Sequence, residues 1–404
     1  MALDIMKERG TPLDKQKFNW RDIAGKPISK LDDDAFTRIR VILMNGIEME
    51  AIRFQHSVAR FNGEVRNELA EIPRVEQHQA STVNWLISAD HSPLETTIAY
   101  EQVAIEVTAS LALHEPDPYV AQALRFGLLE DFDHLYRYAA LLDRLEGKDA
   151  NTITQSYTDI RPGRPTPLHH RAPIDDVRSP YVRTAAQPLT KLNALTIVAG
   201  EQQTHNYYMN IGPLFADPAA RMLYAEIASV EEQHVTQYES LIDPGESFLE
   251  KWLLHEAAEV YNYYSCLESE TDARIKTDVW ERFLSYELGH LHAVMELFKN
   301  LEGRDPAEVL PETLPQPIGY KPHRDYVRKV LAAEVAMQSI GENYVNPSVG
   351  SKESIAYREQ LASKGSPSDA VAGGYVWMPG GELSDGVTKR SGQTPASGEE
   401  ASAA

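Results

Sequence analysis

The chain has 404 residues, 42% hydrophobic and 25% charged, with a net charge of −21, which disfavours a nucleic-acid partner. One cysteine, Cys266, excludes a disulfide framework, reads as a small buried hydrophobe and fits a reducing, cytoplasmic setting. The start MALDIMKERG lacks the apolar stretch of a secretory signal, and no apolar run reaches the roughly 18 residues that would span a membrane.

Residues 1–33 are polar, with Pro12 and Pro27, and read as an N-terminal arm over the first helix. From Asp34 apolar residues recur at three- and four-residue steps, so the pattern is helix after helix. A first hairpin is expected over 34–61 and 64–88. Ser92-Pro93-Leu94-Glu95 is a capping box with proline at the first helical position, opening a helix that carries Glu101. Asp117-Pro118 starts the return helix, which carries Asp131, His134 and Tyr138 and ends at Leu145-Glu146-Gly147.

Residues 148–185 break this rhythm. The run RPGRPTPLHHRAP predicts an extended crossing segment, with His169 and His170 at the surface. Helical periodicity resumes near 186 with Glu201, and Asp217-Pro218 opens the helix of Glu231, His234 and Tyr238. Asp243-Pro244-Gly245-Glu246 is expected to open the helix of Glu256, whose partner carries Glu287-Leu-Gly-His290 and ends at Leu301-Glu302-Gly303. One more helix is predicted at 323–343 within an extra region, 303–348. The Gly-, Ser- and Pro-rich residues 349–404 read as a mobile tail.

Internal repetition organises these elements. His78, His134, His234 and His290 are spaced by 56, 100 and 56 positions. LEGKDA at 145–150 recurs as LEGRDP at 301–306, and AEI at 70–72 recurs at 225–227. Glu101, Asp117-Pro118, Asp131, His134 and Tyr138 recur 100 residues later as Glu201, Asp217-Pro218, Glu231, His234 and Tyr238. The set implies four hairpins derived from one, with a long insertion after the second.

On a helix, positions i and i+3 share a face, so Glu231 and His234 point to one space. A Glu on one helix facing Glu-x-x-His on its neighbour is half of a carboxylate-bridged di-metal site. Three hairpins carry such a set: Glu101/Asp131/His134, Glu201/Glu231/His234 and Glu256/Glu287/His290. The first hairpin reads as degraded, with Asn45 and Val75 at the ligand positions and only His78 retained, Glu48 being nearby.

With these motifs, residues 34–302 resemble the ferritin-like di-iron carboxylate superfamily, which includes rubrerythrins and manganese catalases. The resemblance implies an all-α, ferritin-like antiparallel helical bundle built from four repeated hairpins, with the crossover at 148–185. It implies two Fe or Mn ions per chain, held by Glu, bridging Glu and His from two hairpins. The family sets its two hairpins antiparallel, which needs a connection as long as the bundle. A 25-residue helix is about 38 Å long. Extended chain covers about 3.3 Å per residue, so 148–185 suffices, whereas the link between His234 and Glu256 does not. Hairpins two and three are therefore expected to form the site, with Asp131 in place of the family's Glu. The runner-up joins hairpins three and four. Hairpins one and four are expected to pack alongside with at most a partial site.

Tyr138 and Tyr238, one turn beyond the histidines, are candidates for packing or for a radical or supporting role at the site, whereas the pairs Tyr207-Tyr208 and Tyr263-Tyr264 read as core or rim aromatics. His205, one turn from Glu201, is a candidate extra ligand or orienting base. The resulting expectation is an oxidoreductase reacting with oxygen or peroxide. The alternative is a non-catalytic helical assembly protein with a decayed metal site. No CxxC pair is present, so electrons must come from an electron donor protein or from the substrate. No membrane partner is expected, and self-association into a homo-oligomer stays open.

Overall fold

The computed structural model describes residues 3–372, except 32, 335–336, 341–342 and 347–348. The described residues form an all-α helical bundle, with one small antiparallel pair of strands at Gln338–Ile340 and Asn343–Val345. Eight long helices make four hairpins. They are α2 (Ala35–Ala59) with α3 (Glu68–Trp85), α4 (Pro93–His114) with α5 (Pro118–Glu146), α8 (Pro188–Ile211) with α9 (Pro218–Glu239), and α10 (Phe248–Ser269) with α12 (Arg282–Glu302). The short helices are α1 (Trp20–Ile23), α6 (Asn151–Thr154), α7 (Pro173–Asp176) and α11 (Ala273–Ile275). After the last hairpin come α13 (Arg324–Glu334), α14 (Lys352–Leu361) and α15 (Pro367–Ala372).

Local chemistry sets the helix ends. The Ser92 hydroxyl accepts from Glu95 N–H at 3.2 Å and the Glu95 carboxylate accepts from Ser92 N–H at 2.7 Å, closing the capping box. Asp117 and Asp217 cap α5 and α9, each followed by proline where no helical donor is lost. Gly147 and Gly303 end α5 and α12 at φ of 62° and 66°, a left-handed conformation that favours glycine. The fourth hairpin differs from expectation in its start. Asp243–Glu246 forms a turn, and Ser247 with Glu250 makes the capping box that opens α10. A π-helical turn at Lys276–Glu281 leads into α12.

The hairpins pair two by two. The second and third form one quartet, α4/α5/α8/α9, and the first and fourth form another, α2/α3/α10/α12. The quartets meet along α2, which packs on α4 and α8, and along α10, which packs on α8.

The crossing segment runs the length of α5. The carboxamide of Gln102 donates to Thr154 O, Thr166 N–H donates to the Asp133 carboxylate, and Ser179 N–H donates to the hydroxyl of Tyr119, near the start of that helix. The segment's middle, 158–172, is largely buried, whereas 173–185 is mostly exposed. A Cβ on Gly163 would lie 2.7 Å from Leu129 O and 2.8 Å from Asp133 N, so glycine lets the chain press onto α5. His169 and His170, expected at the surface, are buried.

Three other expectations are corrected. The N-terminal arm lies on α12 and α3, not on the first helix. Thr11 N–H donates to Ser285 O, and Gln16 donates to Tyr286 O at 3.0 Å. The helix predicted at 323–343 ends at Glu334. Of the tail, residues 351–372 fold onto the bundle. Arg137 donates to Ser368 O and Ala372 O, and the Glu226 carboxylate accepts from Ser368 N–H. The rest of the tail, 373–404, lies outside the described residues.

Candidate metal centres

The α4/α5/α8/α9 quartet gathers all six residues expected of hairpins two and three. Ligand atoms of Asp131, Glu201, Glu231 and His234 lie within 4.8 Å of one another, as do those of Glu101, His134 and Glu231. Glu231 belongs to both groups, the place of a bridging carboxylate. All six side chains are buried at 1% exposure or less.

Each histidine turns Nδ1 inward. His134 Nδ1 lies 3.0 Å from Glu231 Oε1. His234 Nδ1 lies 3.1 Å from Glu231 and 3.4 Å from both Asp131 and Glu201. On its other side His234 Nε2 meets Glu130 Oε2 at 2.6 Å. Arg171, in the crossing segment, donates to Glu130 at 2.8 Å. This carboxylate–imidazole pairing holds the ring orientation that a metal ligand needs. Neither Glu130 nor Arg171 was legible as a site residue, because their roles depend on contacts between remote elements.

The carboxylates keep acceptors in reserve. Among the described residues both oxygens of Asp131 and of Glu201, Oε2 of Glu101 and Oε2 of Glu231 have no hydrogen-bond partner. Buried acceptors left unpaired cost free energy, so the cavity suits a cation. Tyr208 donates to the other oxygen of Glu101. Burial, with Glu231 and Asp131 nearby, pushes Glu101 well above the usual carboxylate range, and burial with Glu201 does the same to Asp131. Burial raises Glu201 to about 7 although His234 opposes it. Burial also acts on Glu231, but His134 and His234 outweigh it and hold that carboxyl below its ordinary value. Burial disfavours charge on His234, yet Glu201, Glu130 and Glu231 together hold it well above the imidazole range.

The second quartet corrects the reading of the first hairpin. Glu76, Glu256, Glu287 and His290 place ligand atoms within 4.8 Å of one another, as do Glu48, Glu259 and Glu287. The α3 positions are therefore Glu76 and Gln79, one residue past Val75 and His78. One residue turns a helix by about 100°. His78 accordingly faces outward, half-buried against Phe18 at 5.2 Å between ring centroids. The runner-up pairing of hairpins three and four does not occur, since Glu256, Glu287 and His290 face α2 and α3 rather than Glu201. Glu76, Gln79 and Glu259 were missed, and Glu48 was noted only as lying near the expected ligand positions. A search for Glu-x-x-Gln as well as Glu-x-x-His would have found Glu76 and Gln79.

Of the other candidates, Tyr138 and Tyr238 are buried without a partner for either hydroxyl among the described residues, and Tyr238 packs 6.2 Å from the His234 ring. Tyr263 donates to Glu48, as Tyr208 does to Glu101. Tyr264 sits in the core. His205 is half-buried on α8, outside both clusters. Cys266 is buried near the hydroxyl of Tyr320, and burial pushes its thiol up to about 12.

Comparison with protein-family models, curated proteins and solved structures finds no match. No described helix is long and apolar enough to cross a membrane.

Proposed function

We propose that the α4/α5/α8/α9 quartet is a ferritin-like di-metal centre for two Fe or Mn ions, and that the protein is an oxidoreductase acting on oxygen or peroxide. What carries this reading is the set of buried, unpaired carboxylate oxygens facing the inward Nδ1 atoms of His134 and His234. Hard oxygens with one imidazole per ion suit Fe or Mn. When bound, such ions supply a redox couple and open coordination positions.

The chain's own residues prepare the place. Glu231, ionised between the two histidines, is the carboxylate to be shared by both ions. Glu130 holds His234 at Nε2, leaving Nδ1 to ligate. Tyr208 anchors one oxygen of Glu101 and leaves the other for a metal. Asp131, a methylene shorter than Glu, reaches the His234 side with both oxygens unpaired. Protons held on the raised carboxyls and on His234 must leave as ions enter.

Electrons would come from a donor protein or the substrate. The Tyr208 ring lies 5.9 Å from Tyr207, which is half-buried and stacks on Tyr100 at 4.1 Å, so aromatic rings link Glu101 toward the surface.

The test is elemental analysis of protein purified without added metal, together with oxygen and peroxide consumption. Two Fe or Mn ions that depend on Glu231, with turnover of either oxidant, are expected. A protein that takes up neither metal at the first quartet overturns the proposal.

A further inference from the structure

The α2/α3/α10/α12 quartet repeats the first centre position for position, with three exchanges, Glu76 for Asp131 among them. Glu48, Glu76, Glu256, Glu287 and His290 correspond to Glu101, Asp131, Glu201, Glu231 and His234. Gln79 stands where the first centre has His134. Glu259, three residues beyond Glu256, stands where α8 has Thr204. One imidazole is lost and one carboxylate gained.

We propose that this quartet is a second metal centre, independent of the first, with two unlike positions. One combines Glu76, Glu256, Glu287 and His290. The other is built of oxygen alone, from Glu48, Glu259 and Glu287, and takes a hard divalent cation of the Mn2+ class.

The carboxylates are held as ligands are held, one oxygen tethered and the other left over. Tyr263 donates to Glu48 Oε1, Gln55 to Glu76 Oε1 at 2.7 Å, and Trp252 to Glu256 Oε1 at 2.6 Å. Oε2 of all three has no hydrogen-bond partner among the described residues. Glu259 is 1% exposed, and neither of its oxygens has a partner. His290 repeats the geometry of His234. Its Nδ1 lies 3.1 Å from Glu287, while Gln16 Oε1 of the N-terminal arm holds Nε2 at 2.8 Å, where Glu130 serves His234.

No Lys or Arg forms an ion pair with these five carboxylates among the described residues; their ion-pair contacts are with His290. Structural clusters of buried carboxylates recruit such cations, as Glu130 recruits Arg171. Here the interior is shaped for ions instead. Replacing imidazole by a carboxylate hardens the second position, and all-oxygen sites suit Mn, Mg or Ca. Gln79 donates to Glu287 at 2.5 Å and to Glu48 at 3.3 Å, bracing two of the three ligands. A groove of about 970 Å3 between the arm, α3 and α12 lies outside the cluster and is lined by Val75 and Gly289, the chain neighbours of Glu76 and His290.

The test uses the full chain, stripped with a chelator and titrated with Mn2+, counting ions per chain at equilibrium. The double variant Glu201→Gln/Glu231→Gln disables the first centre and is expected to keep two ions. Adding Glu259→Gln should leave one, and adding Glu287→Gln none. Gln79→His should raise the preference of one ion for Co2+ over Mn2+ at least tenfold. Circular dichroism of each metal-free variant confirms that the fold is kept, and the carboxamides preserve side-chain volume. If the double variant binds no ion while the unaltered chain binds two, the second centre is refuted and the first stands. If Glu287→Gln alone removes every ion, the first centre fails instead. Two ions retained after Glu259→Gln refute the all-oxygen position.

Discussion

Nε2 of His234, on α9, lies 2.6 Å from Oε2 of Glu130, on α5, a contact that joins the two middle hairpins behind their shared cluster. Arg171 completes it from the crossing segment, donating to Glu130 from one nitrogen and to Asp176 from another. The orientation of one ligand thus depends on three separate parts of the chain.

Replacing Glu130 by Gln keeps the shape but removes the charge that faces His234. Metal affinity of the first quartet should fall about 10- to 100-fold, the usual effect of losing such a partner. Helix content should be unchanged. Isothermal titration with Mn2+, using Glu287→Gln as background to silence the second quartet, measures it. An unaltered affinity would show that Glu130 does not position the histidine.

Glu231 is buried in the cluster, whereas Glu232, next to it, is exposed and accepts a hydrogen bond from Thr236 at 3.1 Å. Glu231→Ala should remove at least one ion per chain. It should also destabilise the metal-free protein, because His134 Nδ1 loses its partner at 3.0 Å; a cost of about 1–3 kcal/mol is usual for a buried group left unpaired. Glu232→Ala should change neither quantity. Metal content and thermal midpoint of both variants decide the matter, and equal metal content in the two would exclude Glu231 as a ligand.

Stability of the metal-free protein should fall as pH rises from about 5 to 8. Burial raises Glu201 to about 7 and Glu76 to about 8, against ordinary values near 4.5. Between the unfolded and folded values the native state holds more protons, so each such group costs about 1.4 kcal/mol per pH unit on the rising limb. His234 and His290, kept protonated by their carboxylate neighbours against the opposing effect of burial, lose their contribution in the same direction. Glu130 and Glu231, held below their ordinary values by cationic neighbours despite burial, lose theirs only as pH falls through the acid range. Saturating Mn2+ should cancel the decline, because ions take the places of the protons. Chemical denaturation at several pH values, with and without metal, measures both slopes.

Gly289 lies between Glu287 and His290, and a Cβ there would come 2.1 Å from Thr11 O and 2.9 Å from the Gln16 carboxamide nitrogen. Gly289→Ala should push the arm away and withdraw Gln16 from His290. Overpacking of this kind costs about 1–3 kcal/mol. Limited proteolysis should then cut within residues 9–17, and the second quartet should lose affinity for Mn2+ while the first keeps it. An arm that stays protected would show that α12 accommodates the methyl by shifting.

Much of this molecule follows from short-range rules. Capping by Ser92, Asp117 and Asp217, and the left-handed ends at Gly147 and Gly303, depend on residues within a turn of each other. Glu231 and His234 share a face for the same reason. The choice of hairpins two and three was also legible, because chain length alone separates a 38-residue crossing segment from a short turn.

What tertiary structure alone decided is that hairpins one and four combine into a second quartet, and which residues support both. A one-residue offset in α3 carries His78 out and Gln79 in, where Gln79 donates to Glu287 of α12. Glu259 becomes a candidate ligand because α10 turns it toward Glu48 and Glu287, residues of helices far away in the chain. Glu130 and Gln16 hold equivalent histidine nitrogens, yet one comes from the neighbouring hairpin and the other from an irregular arm. Helix periodicity repeats over a few residues and is written locally. Which face meets which partner is settled by the burial of whole helices, and leaves no mark in any single stretch of sequence.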